Sequence, residues 1–165
     1  MIVKEEDLEF DFSNAVDVVK FDNNDHGLSH CMKAVDFIVE MPDCYYFIEV
    51  KDPSHPKARD VPESYCKAKN GELSKVITGK FRDSFVYRWA QDKLEKPVHF
   101  ICLITLEEAL LINLQNELKR DLPMEGPTRW AKQFAESCCI VNIDAWNRTY
   151  DKWPVCRLST KVQKT

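Results

Sequence analysis

Apolar positions along the chain recur with two periods. Residues 34–40 and 45–51 are runs of β-branched and aromatic residues on either side of the turn-like Met41-Pro42-Asp43-Cys44, a pattern that predicts a β-hairpin. Upstream, Leu8, Phe10 and Phe12 alternate with acids as an edge strand does, while Ala15, Val16, Val18, Val19 and Phe21 fit either a short helix capped at Ser13 or a continuing strand. Residues through Asp7 read as exposed, and 22–30 as a polar loop turning at Gly27. After the hairpin, Pro53, Pro56 and Pro62 exclude a regular helix or a central strand.

Leu73, Ile77, Phe81, Phe85 and Trp89 then step by four, which predicts a long amphipathic helix over 74–95. Residues 97–106 form a continuous apolar run, as in a strand buried on both faces. Residues 107–122 follow as a helix, with acids in the first turn and Lys119 and Arg120 in the last, matching the helix dipole. A helix over 128–137, a strand over 138–143, a short helix from Asp144, a strand over 155–158 and a frayed polar tail complete the expectation. Strands alternating with helices after an initial hairpin indicate an α/β sandwich around a mixed sheet, built as a single domain over 1–165.

Three charges interrupt the apolar hairpin: Asp36, Glu49 and Lys51. Side chains alternate along a strand, so Glu49 and Lys51 share one face, about 7 Å apart. With a four-residue loop over 41–44, Glu40 pairs with Tyr45, and the same register sets Asp36 opposite Glu49. Like charges directly opposite on neighbouring strands are destabilising, so the pair asks for something cationic between them, and a hard divalent ion fits. Against this stands a plain surface ion pair, in which Lys51 neutralises Glu49 and Asp36 is solvated.

Composition narrows the partners more than the fold. Hydrophobic content of 44% and charged content of 30% are those of an ordinary globular protein, and no apolar run is long enough to span a bilayer. The acidic start has no basic and apolar regions of a secretory signal, and the seven cysteines form no C-x-x-C pair, so a reduced, cytoplasmic protein is expected. A net charge of −4 means that any polyanion must be gripped by a local patch. The most basic region runs through Lys57, Arg59, Lys67, Lys69, Lys75, Lys80 and Arg82, with His55 at its edge. A solvated loop and helix face explains the same residues.

The hairpin resembles that of the PD-(D/E)XK nuclease superfamily, the restriction-endonuclease-like fold. Its hallmark is an acid on one hairpin strand and acid-x-lysine on the next; here V-D-F-I-V and E-V-K match it in type, order and spacing. The order of hairpin, helix and strand across 34–106 is compatible with the family's core. The resemblance implies that Asp36 and Glu49 are metal ligands, joined by the Val50 carbonyl, and that Lys51 orients or helps to deprotonate the attacking water. It further implies a Mg2+ or Mn2+ cofactor and phosphodiester hydrolysis in DNA or RNA, with His55, Lys57, Lys75 and Lys80 as substrate-binding candidates. Val35 stands where the name-giving proline would be. The family's extra acid before the hairpin has three candidates, Glu9, Asp17 and Asp22. No glutamine-tyrosine motif follows; Tyr87 and Gln91 occur in reversed order. The alternative is a catalytically inactive module of the same fold that binds a protein partner. A homodimer or larger complex is expected because one small domain offers little surface for gripping a duplex.

Other residues carry weaker signals. His26, His30 and His55 fit no standard ligand spacing. Asp144, His99 and Cys102 make a nucleophilic triad only if the fold brings them together, and Cys102 lies mid-strand in an apolar run. Trp130, Trp146 and Trp153 are expected to cap the core of the last third.

Overall fold

The computed structural model describes residues 1–23, 27–55, 66–122, 124 and 126–162. Among these residues, with 66–69 also helical, the elements described in full follow in the order β1 (Ile2–Glu5), β2 (Leu8–Asp11), β3 (Asp17–Lys20), β4 (Phe37–Glu40), β5 (Tyr45–Lys51), α1 (Glu72–Ala90), β6 (Val98–Ile104), α2 (Glu108–Asp121), β7 (Ser137–Val141), α3 (Ile143–Thr149), β8 (Val155–Arg157) and α4 (Leu158–Val162). Two sheets result: a five-stranded mixed sheet in the order β3-β4-β5-β6-β7, and an antiparallel three-stranded sheet in the order β1-β2-β8. The architecture is mixed α/β. None of the described helices is long and apolar enough to cross a membrane.

The hairpin register follows from its loop. Glu40 pairs with Tyr45 and Phe37 with Ile48, so four residues close the turn as their number and sequence require. β5 then runs parallel to β6, and β6 to β7, from Tyr45 opposite Val98 to Lys51 opposite Ile104. These central strands are buried on both faces, which is why they are apolar without alternation. Phe47, Phe100, Cys102 and Ile104 face α1 and α2, meeting Ile77, Phe81, Leu114 and Leu118. Phe37, Ile48, Val50, Ile101 and Leu103 face the small sheet and α3, meeting Leu8, Phe10, Trp146 and Trp153. Trp146 and Trp153 therefore do fill a core, and the Trp146 indole donates to the Trp153 carbonyl. Trp130 instead remains 43% exposed.

Several expectations are corrected. Of residues 15–21, left open between helix and strand, 17–20 form strand β3, and Val16 N–H donates to the Glu40 carbonyl just before its pairing with β4. Residues 2–5, expected only to be exposed, form a strand: β1 pairs with β2 through a turn at Glu6, whose φ is +53°. Three strands, and no helix among the described residues, precede the hairpin. The expected helix over 128–137 is irregular. Glu136 N–H is drawn onto the Val98 carbonyl, while Trp130 N–H closes a turn on Pro127, so these two groups bond outside a helical ladder.

The four-residue stripe of α1 also changes course. Steps of four overshoot the helical period by about 40° each, so Trp89 has rotated off the face that buries Leu73, Ile77 and Phe81. The buried face continues instead through Ser84 and Arg88, and Trp89 stays 69% exposed. The Arg88 guanidinium lies 6.0 Å from the centre of the Tyr45 ring. Ser84 and its neighbour Asp83 accept backbone N–H groups from Val35 and Lys33, both at 2.9 Å. These two bonds clamp the approach to β4 against α1 immediately before Asp36.

Candidate functional site

Asp36 sits one residue beyond the regular end of β4, where its carbonyl still accepts Phe21 N–H and its side chain replaces the missing strand partner of β5. Val50 N–H donates to Asp36 Oδ2 at 2.6 Å. The ladder pairs Phe37 with Ile48, so continuing it places Asp36 beside Glu49. Asp36 and Glu49 occupy the alternation that faces α1, and both are buried. They lie at the end of the hairpin away from the 41–44 turn, where the parallel strands β5 and β6 end.

Two lysines converge on this pair. Lys51 Nζ lies 2.7 Å from Glu49 Oε1 and donates to the Val50 carbonyl at 3.1 Å. Lys80, reaching in from α1, places its Nζ 2.8 Å from the same Glu49 oxygen and 3.3 Å from Asp36 Oδ1. Glu49 is fully excluded from solvent, and its Oε2 has no hydrogen-bond partner among the described residues. Burial, reinforced by the neighbouring Asp36 carboxylate, pushes the Glu49 carboxyl up to about 7, although Lys51 and Lys80 pull the other way. Burial alone would lower the Lys51 ammonium, but Glu49 and Asp36 outweigh it and hold it above the usual lysine range.

A ring of further charges surrounds this centre. Glu5 and Asp22 each bring a carboxylate oxygen to Asp36, the three lying within 4.8 Å of one another. Asp22 is held above its ordinary range by burial and then by Asp36 and Glu5. Lys20 caps the outside with a 2.8 Å ion pair to Glu5. Glu6 is likewise raised, by burial first and then by Asp52, Glu5 and Asp36 against the opposing pull of Lys51.

The strand end that carries Lys51 is anchored by a separate network. Asp52, buried, accepts two parallel hydrogen bonds from Arg157, both at 2.7 Å, and one from Thr105 Oγ1 at 2.5 Å. Arg157 also lies 3.6 Å from Asp7, whose carboxylate accepts from Ser159 Oγ and N–H. Bidentate guanidinium–carboxylate pairing fixes direction as well as distance, so β8 locks the residue after Lys51 in place.

Of the residues nominated from the sequence, Asp36, Glu49, Lys51, Lys80 and the Val50 carbonyl come together. Among the upstream acids, Asp22 joins them. Glu9 instead pairs with Lys4 at 3.6 Å, and Asp17 lies opposite Glu40 at the other end of β3. His55 turns back on the Asp52 carbonyl through its backbone N–H and lies near Asp7. Lys75 is exposed on another side of α1, where it acts on Asp121. Lys57, Arg59 and His26 lie outside the described residues. His99 and Cys102 point to opposite faces of β6, the thiol into the helical core and the imidazole onto Ser137 Oγ, so they make no triad with Asp144.

Glu5 was not among the nominated acids. Its only signal was the alternation of Ile2–Glu5 mirrored by Leu8–Asp11, across a Glu6-Asp7 turn that lacks the glycine or asparagine marking most tight hairpins. No family model, curated protein or solved structure matches the chain.

Proposed function

We propose that the chain is a metal-dependent phosphodiesterase of the restriction-endonuclease-like fold, cutting DNA or RNA. The observation that carries the reading is the convergence of Asp36, Glu49 and Lys51 at the end of two parallel strands, with Glu5 and Asp22 alongside. The donor set suits a hard divalent ion: it is all oxygen, it includes closely spaced carboxylates, and the buried Glu49 Oε2 lacks a partner. Asp36, Glu49 and the Val50 carbonyl would hold Mg2+ or Mn2+, with Asp22 or Glu5 completing the set. Such an ion, when bound, supplies an acidified water and neutralises charge on phosphate oxygens.

The chain's own residues have distinct parts in this reading. Val50 N–H fixes the orientation of the Asp36 carboxylate. Lys51, a third exposed, is the cation placed to meet a scissile phosphate or its attacking water as a point charge. Glu49, whose carboxyl is raised by burial and Asp36 in the ion-free chain, would give up its proton on holding the ion.

A second reading has its own observation. The Lys80 ammonium already sits between Asp36 and Glu49, so the carboxylate pair is compensated within the chain. That suits a module that keeps the nuclease-like arrangement without catalysis and binds a protein partner.

Cleavage of single- and double-stranded DNA and of RNA, assayed with Mn2+ and with EDTA, separates the two. The nuclease reading expects Mn2+-dependent cutting that disappears in Asp36→Ala and Lys51→Ala proteins with wild-type circular dichroism. Equal activity in wild type and Lys51→Ala sinks it.

A further inference from the structure

Lys80 touches the atoms that a divalent ion would need. Its ammonium contacts Asp36 Oδ1 and Glu49 Oε1 together, and among the described residues no other cation contacts both. Lys51 contacts Glu49 but spends its other bond on the Val50 carbonyl, its own strand. The two lysines therefore differ in placement: Lys51 lies on β5, the strand of Glu49 itself, and contacts Glu49 alone of the two acids, whereas Lys80 enters from the flank of a helix and bridges both. Its side chain is still 18% exposed, so a route to solvent is open. The flank beside it is loosely filled, since a Cβ added at Gly79 would meet only the Lys33 side chain, at 3.9 Å.

We propose that Lys80 is a built-in counter-ion that occupies the gap between Asp36 and Glu49 and exchanges with a divalent cation, so that ion entry and lysine departure are one event. This rests on the metal-site part of the reading above. The physical reason is the repulsion of like charges in a site shielded from water. One cation between the two carboxylates relieves their mutual repulsion, but an ammonium and a divalent ion in the same gap repel each other. Lys80 thus keeps the ion-free protein folded around a buried carboxylate and lowers its affinity for metal at the same time. A flexible lysine can leave with little strain, because its stem packs on the helix flank while its head moves to water.

Two measurements test this. Mn2+ binding is followed by calorimetry in wild type and in Lys80→Met, which keeps the length of the stem without its charge. The variant binds Mn2+ about tenfold or more tightly than wild type, since the competing cation has gone. In wild type itself, acetylation of lysines by an amine-reactive ester is read by mass spectrometry with EDTA and with saturating Mn2+. Labelling of Lys80 rises with Mn2+, while that of Lys75 stays constant. Folded Lys80→Met that binds Mn2+ no more tightly than wild type overturns the exchange, as does Lys80 labelling that Mn2+ leaves unchanged or lowers. Should Lys80→Met not fold, Lys80→Gln and the wild-type labelling decide. Mn2+ tightening in the variant without cleavage by either protein refutes the nuclease reading and supports the exchange. Cleavage by wild type with Lys80 labelling unchanged refutes the exchange and leaves the nuclease reading standing.

Discussion

Glu49→Gln is the substitution with the most distinctive expected outcome, because it converts a functional group into a measurable pH dependence of stability. The Glu49 carboxyl titrates near 7 in the folded chain, against 4.5 for the free group. Between those values the folded state holds a proton that the unfolded state has released, so stability falls as pH rises. A tenfold difference in proton affinity between the two states corresponds to about 1.4 kcal/mol. From about pH 5 to about pH 8, ionisation of Glu49 therefore removes roughly 2–3 kcal/mol from the wild type. Glutamine has the same shape and does not ionise, so the variant lacks this loss; the other titrating groups are shared and largely cancel in the comparison. The fixed cost of burying an amide where Glu49 Oε2 has no partner is independent of pH and also drops out. Urea melts of both proteins at the two pH values, without metal, measure the difference. On heating, it corresponds to about 5–10 °C in a chain of this size. Parallel pH dependences in wild type and Glu49→Gln, or a wild type that gains stability relative to the variant as pH rises, would refute the reasoning.

Further outcomes follow from other parts of the molecule. Arg157→Ala leaves the buried Asp52 carboxylate with Thr105 as its remaining side-chain donor, and loss of one partner of a buried pair costs about 3–5 kcal/mol. A urea-unfolding loss below about 1 kcal/mol would show that the pair is solvated in solution. Among the thiols, Cys31 and Cys66 are exposed, whereas burial pushes Cys138 up to about 12 and Cys102 well above its ordinary value. Iodoacetamide therefore labels Cys31 and Cys66 in the native protein and reaches Cys102 and Cys138 only after denaturation; equal rates, read by mass spectrometry, would contradict the burial.

The part of this molecule that could be read from sequence is the part governed by short-range geometry. A four-residue turn sets the register of β4 and β5, and that register alone brings Asp36 alongside Glu49. The continuous apolar run over 97–106 likewise announces β6 as a strand covered on both sides. What escaped depended on distant partners. β1 has an ordinary alternating pattern and an unmarked turn, so nothing local shows that Glu5 reaches Asp36. Trp130 and Phe134 are spaced as on a helix, yet Glu136 is held by the first residue of β6, and tertiary bonding prevails over the local period. Lys80 stood out only as one basic residue among several. Its distinction lies in α1 being pinned to residues 33–35, which no spacing within the helix reveals.

The pairing of β2 with β8 has a consequence for biogenesis. Phe10 meets Val155, Asn14 bonds the Trp153 indole, and Asp7 bonds Ser159, so the small sheet joins segments about 140–150 residues apart. While the ribosome is still making residues 120–150, the hairpin β1–β2 has no third strand, and the residue after Lys51 has no Arg157 to hold it. The carboxylate cluster that includes Glu5 is then assembled late, by the arrival of residues 155–159. A chain cut before residue 155 would carry the acids and lysines of the cluster without these bonds, which ties their alignment to the synthesis of residues 155–159.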